Sequence, residues 1–238
     1  MHAPVWEGPG VEQRLVLAVR DPAPDLTGPA VRDLLATAGA RWVQLNLPAA
    51  EFASALRLSF GDHPVDAFVA LDSDADPEAV VAALSTHARS LVGWRVETTE
   101  PLPPRPTTDG EPLEALANIA VLRVPASMPY AEWRRIWQEE HTTVAIETQG
   151  TFGYVQHRVL APIVGGDDPW ADRVGAVVEE HFPPAAATDP HAFYGSGGDP
   201  AELERRMTRM FASIQRFGAD RDLDLVPTRR LTWSLAAT

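Results

Sequence analysis

One element order, written twice around a proline-rich stretch, constrains this chain more than any other feature of its sequence. Residues 101–112 read Pro-Leu-Pro-Pro-Arg-Pro-Thr-Thr-Asp-Gly-Glu-Pro, a composition that favours extended, semi-rigid backbone and interrupts helix and sheet alike. Before it, strand-like apolar runs at 14–20, 41–47, 67–72 and 94–98 combine with helical patterns at 28–38 and 76–90 in the order β-α-β-β-α-β. After it the order returns, with strands at 118–124, 152–160, 174–182 and 227–235 and helices at 129–149 and 201–217. Pro77 and Pro129 stand at helix starts, where a missing N–H costs nothing. Each run predicts a four-stranded antiparallel sheet with two helices on one face, the ferredoxin-like arrangement. The other face of each sheet is bare, and two such halves in one chain can bury both by packing sheet to sheet. The expected fold class is therefore α+β, with an N-terminal half at 14–100, a connector at 101–117 and a C-terminal half at 118–236. Trp42-Val43-Gln44 and Tyr154-Val155-Gln156 fall at the same place in the two halves, a sign of internal duplication.

The residue inventory narrows the chemistry. The chain has no cysteine, and all twenty of its basic residues are arginine. Thiolate nucleophiles, Cys-ligated metals, iron–sulfur clusters and lysine Schiff bases are thereby excluded. A formal charge of -13 repels phosphate backbones and anionic membranes, so neither nucleic acid nor membrane is an expected partner. No apolar run approaches the roughly 18–20 residues that span a bilayer. Residues 1–13, rich in Pro and Gly, read as a loose arm without the pattern of a signal peptide, and a soluble, cytoplasmic protein is expected. No cofactor loop is recognisable, and the expectation is a site that works without metal, haem or flavin.

The densest chemistry lies between residues 130 and 160. A helical spacing of i, i+4, i+8 sets Trp133, Trp137 and His141 on one stripe. The following strand turns Tyr154, Gln156 and Arg158 to one face and Val155, His157 and Val159 to the other. An imidazole with an ordinary pKa of about 6.5 suits proton transfer near neutrality. Tyr154 and Arg158 can stabilise charge developing on oxygen, with Gln156 as an amide beside them. Glu179 and His181 share a face two residues apart, so one can orient the other. The same side chains also suit plain packing: a buried histidine bonded to a carbonyl, core tryptophans, a solvated arginine on a half-buried strand. The N-terminal half carries Trp42, Leu45 and Asn46 where the C-terminal half carries Tyr154, His157 and Arg158. It is expected to act as scaffold.

The C-terminal half resembles the EthD family of dimeric α/β-barrel proteins. The family's helix carries an aromatic, then Trp, then His four residues on, and its next strand begins Tyr-Val-Gln; here these are Glu132-Trp133, Trp137, His141 and Tyr154-Val155-Gln156. Two positions depart: Thr143 stands where members usually have Pro, and His157-Arg158 replaces Asn-His, so the family's strand histidine is an arginine here. The resemblance implies a pseudo-dimeric α/β barrel, with a pocket between a sheet and its own helices. It also implies a cofactor-independent cyclase, dehydratase or related lyase or isomerase, a cofactor-free monooxygenase, or a ligand-binding accessory protein. The expected site comprises His141, Tyr154 and Arg158 as catalytic groups. Trp133, Trp137, Gln156, Glu179 and His181 are expected to bind an apolar, oxygenated small molecule. The expected assembly is a monomeric pseudo-dimer or a homodimer.

Overall fold

The computed structural model describes residues 13–74 and 76–235; the expected N-terminal arm lies, apart from Gln13, outside them. In chain order the elements are β1 (Gln13–Pro22), α1 (Pro29–Thr37), β2 (Ala40–Leu47), β3 (Ala67–Ser73), α2 (Pro77–Ser85) and β4 (Ala88–Leu102). Then come β5 (Leu116–Arg123), α3 (Tyr130–Arg135), a π-helical turn (Ile136–His141), α4 (Thr142–Thr148), β6 (Gly153–Val164), β7 (Val174–Phe182), α5 (Pro190–Tyr194), α6 (Pro200–Gln215) and β8 (Asp224–Ser234). Aspartates cap three of the helices: the Asp76, Asp189 and Asp199 carboxylates accept backbone N–H groups ahead of a proline.

The strands follow the order β1-β3-β2-β8-β5-β7-β6-β4, and β4 returns to pair with β1, closing a barrel. Within it β4-β1-β3-β2 and β8-β5-β7-β6 are two ferredoxin-like sheets. The antiparallel seams β2–β8 and β4–β6 join them. Closure leaves these sheets no free edge. Three apolar clusters fill the layers. Leu15, Leu17, Val43, Leu45, Val69 and Leu71 pack under α1 and α2. Val16, Phe68, Trp94, Ile119, Val121 and Val177 meet inside the barrel. Trp133, Trp137, Tyr154, Ala176, Val178 and Phe217 pack under the C-terminal helices. Strands β5 and β7 are buried along their whole length, because helices cover one face and the opposite sheet covers the other.

The structure differs from the sequence reading in three places that matter for the site. The helix expected to reach residue 90 stops at Ser85, and β4 runs from Ala88 to Leu102; its antiparallel pairing with β1 begins at Ala88 and claims this segment. The helix expected over 129–149 contains the π-helical turn that ends on His141. The aligned motifs Trp42-Val-Gln and Tyr154-Val-Gln point in opposite directions. Trp42 and Gln44 face the barrel interior, whereas Tyr154 and Gln156 face the helices. A one-residue difference in phase exchanges the faces of a strand, so this sequence match is not a structural equivalence.

Candidate functional site

A cavity of about 480 Å³ opens between the β8-β5-β7-β6 sheet and helices α4 and α6. Most of its wall is apolar, from Leu122, Val178, Met210, Ile214 and Phe217. Into this wall converge Asn118 of β5, His141 from the end of the π-helical turn, Gln149 just after α4, Tyr154 of β6, Glu180 of β7 and Tyr194 at the end of α5. Apolar walls with a few convergent polar groups are the usual make-up of a small-molecule site.

Burial sets the protonation states. Glu180 is 8% exposed, and desolvation pushes its carboxyl up to about 7, against a hydrogen bond from Gln149 that acts the other way. With its amide nitrogen turned toward the acid, Gln149 donates to Glu180 Oε1 at 2.8 Å and to the Ala145 carbonyl at 3.2 Å. His141 is 7% exposed, and burial pulls its imidazole down to about 4, so it is neutral at pH 7. Its Nδ1 lies 2.9 Å from Ser213 Oγ, and Phe217 packs on the ring at 4.7 Å between centroids. Nε2 makes no hydrogen bond among the described residues. Burial, and then the neighbouring Glu180 charge, raises the Tyr154 phenol and also that of Tyr194. Asn118 Oδ1 is buried without a hydrogen-bond partner among the described residues.

Of the residues expected from sequence, His141 and Tyr154 line this cavity. Arg158 does not: it pairs with Glu97 at 2.8 Å on the neighbouring strand β4, where the β4–β6 register sets the two opposite one another. Gln156 is occupied at both ends, donating to Thr142 Oγ1 at 2.7 Å and accepting from Thr99 at 3.1 Å, and so ties β6 to α4 and β4. Trp133 and Trp137 are fully buried, with ring centroids 5.1 Å apart, and pack in the core beside the cavity. Gly175 permits this, since a Cβ there would come within 2.8 Å of the Trp133 ring.

Glu179 and His181 lie on the other side of the sheet, because successive residues of β7 alternate faces. Glu179 Oε1 is 2.9 Å from His181 Nε2 and accepts from Asn46 Nδ2 at 3.0 Å, while Oε2 accepts from Gln44 Nε2 at 2.7 Å. Arg230 Nε donates to Gln44 Oε1 at 3.0 Å and lies 3.4 Å from Glu179 Oε1. Burial alone would raise Glu179, but His181, Arg230 and Asn46 outweigh it and hold the carboxyl well below the usual range. This network lies in the barrel interior, and Gln44 and Asn46 of the N-terminal half are integral to it. Among the described residues no group of three or more His, Cys, Asp or Glu side chains is placed to hold a metal ion, and no helix is long and apolar enough to cross a membrane.

Glu180, Asn118, Gln149 and Ser213 also meet here, and no motif or periodic pattern in the sequence marks them out. Glu180 sits in a Glu-Glu-His run on a strand buried on both faces, so hydrophobic alternation gave no phase with which to choose between the two acids.

The closed ring of eight antiparallel strands with helices outside defines a dimeric α/β-barrel architecture built within one chain. No family model matches the chain, and no curated protein matches it. Among solved structures it is similar to a protein described as anthrone oxidase-like, with 9% identity and a TM-score of 0.52 over 95% of this chain and 94% of that one. Weaker likenesses are to a candidate monooxygenase from Lactobacillus acidophilus (9% identity, TM-score 0.45, 95% of this chain and 98% of that one) and to a mutant chlorite dismutase from Candidatus Nitrospira defluvii (14%, 0.39, 89% and 90%). At these identities the likeness to the anthrone oxidase-like protein is one of fold.

Proposed function

We propose that the chain is an EthD-like, cofactor-independent acid–base enzyme of cyclase or dehydratase type, acting on an apolar, oxygenated small molecule in the 480 Å³ cavity. The observation that carries this reading is the Glu180 carboxyl, buried in an apolar wall and poised at about 7. A base whose pKa lies near the working pH combines a useful ionised fraction with useful basicity. Ionised Glu180 takes a proton from a carbon next to a carbonyl. The Asn118 Nδ2–H group and the Tyr154 hydroxyl then donate to the oxygens on which the enolate charge settles. Neutral His141, oriented through Ser213, hydrogen-bonds the departing or newly formed hydroxyl, and the carboxylic acid that Glu180 has become returns its proton to that oxygen. One such acid–base group is worth roughly 10²–10⁴-fold. The C-terminal half thus carries the chemistry. The doubled element order supports an origin by duplication.

A cofactor-free monooxygenase is the second reading, favoured by the same base. A carbanion formed in the cavity can be intercepted by dioxygen, so that a methylene becomes a carbonyl and the second oxygen atom leaves as water. Solvent-deuterium incorporation into a panel of activated carbon acids in D2O under argon tests the common first step. Wild type should exchange, and Glu180→Gln should exchange at least about 10²-fold more slowly. Oxygen consumption under air by the same substrates separates the two readings. Exchange that survives Glu180→Gln unchanged would remove the proposed base.

A further inference from the structure

The barrel interior holds a second cavity, of about 340 Å³, that the proposed reaction does not use. It lies across the sheet from Glu180, beside the Glu179 network, with exposed Glu100 and half-buried Pro104 at its mouth. Its floor is buried and polar. Arg230 is 6% exposed and His157 3%. The acids nearby are already matched: Asp72 is held in a two-point contact by Arg14, and Glu179 is held by Asn46, Gln44 and His181 and lies 3.4 Å from Arg230 Nε, which leaves the far side of that guanidinium to the cavity. Glu100 is in solvent, where its charge is screened. Arg230 commits its Nε to Gln44, and its two terminal nitrogens make no hydrogen bond among the described residues. His157 Nδ1 is 2.8 Å from Thr98 Oγ1, and its Nε2 likewise has no partner among the described residues. The terminal N–H groups of Arg230 thus open onto the cavity as donors for an acceptor of matching geometry.

We infer that this barrel cavity is a binding site for a small carboxylate. The planar pair of terminal nitrogens on Arg230 matches the two oxygens of a carboxylate group. Trp42, whose ring carries the Arg14 guanidinium at 4.6 Å, supplies an apolar side wall for a flat or short-chain body. The volume suits a compound of benzoate size rather than a large conjugate. The site draws on both halves, Trp42 and Gln44 from one and His157 and Arg230 from the other, so it exists only in the closed barrel.

Titration calorimetry of the full chain with benzoate, and with neutral benzamide as the isostere, tests this. Benzoate should bind at one site and benzamide roughly tenfold more weakly or worse. Arg230→Gln should weaken benzoate by a similar factor. Arg230 is buried, so that variant requires a native circular dichroism spectrum; Trp42→Leu, at a half-buried wall, should weaken benzoate several-fold with the network intact. Crystals of the wild-type protein with 4-bromobenzoate locate the ligand without any variant. Anomalous bromine density inside the barrel beside Arg230 and Trp42 supports the site. Density only in the cavity of His141 and Glu180, no density, or equal binding of benzamide would overturn it.

Discussion

At position 180 an acid that would sit near 4.5 in the open chain is raised to about 7 in the fold, and this has a sign that can be measured. Between these values the folded state keeps a proton that the unfolded chain has released. Stability is therefore lost as pH rises through this window, and the deficit is complete above about 7. Glu180→Gln removes the deficit. It should be more stable than wild type above pH 7, by on the order of 3 kcal/mol, with the difference vanishing below about pH 4; urea melts across the range check it. Turnover should move oppositely: kcat/KM should rise with an apparent pKa near 7 in wild type, and Glu180→Gln should lose both the rate and that limb. His141→Ala leaves the Ser213 hydroxyl buried and unpaired, which costs about 1–3 kcal/mol while lowering turnover. His141 and Tyr154 were legible in the sequence because each sat on a strong periodic pattern. Glu180 was not, since nothing in Val-Val-Glu-Glu-His tells which face of a doubly buried strand is which.

The elements explain why neighbouring residues do unrelated things. β7 sends Glu180 outward to the helices and Glu179 and His181 inward, so one strand serves two polar sites through a single peptide step. Removing Glu179 strands Arg230, Gln44 and Asn46 without their acceptor, and Glu179→Ala should cost about 3–5 kcal/mol in urea denaturation. Gly153 is the cross-strand neighbour of His181, and a Cβ there would stand 2.3 Å from the imidazole Nδ1. Gly153→Ala should therefore destabilise the protein and disturb the Glu179 network while leaving residues of the outer cavity in place, a separation that amide chemical shifts would display. The sequence revealed element order and most strand positions, because period and turn chemistry are local. It did not reveal the π-helical turn before His141 or the early end of α2, which depend on what packs against those segments.

At the scale of the molecule, two seams make one closed barrel from two ferredoxin-like halves, and the halves share the barrel-interior network. Unfolding should accordingly be a single cooperative transition, with the near-ultraviolet signal of the tryptophans and the far-ultraviolet signal melting together. A protease site placed in the connector at 103–112 should yield two fragments that stay together on size-exclusion chromatography. Fragments that separate and stay folded would argue against shared closure. The doubled order made this architecture readable from sequence, since two bare sheet faces in one chain have an obvious partner in each other. The relative phase of the halves was not readable, as the opposed Trp42 and Tyr154 show.

The proposed chemistry depends on a glutamic acid held at the threshold of ionisation in an apolar cavity, and that is directly measurable. With the glutamates labelled at the side-chain carboxyl carbon, a carbon-13 pH titration should reveal one resonance titrating near pH 7, absent from Glu180→Gln. If every glutamate carboxyl titrates below about pH 5, as exposed ones do, the base proposed for this cavity does not exist.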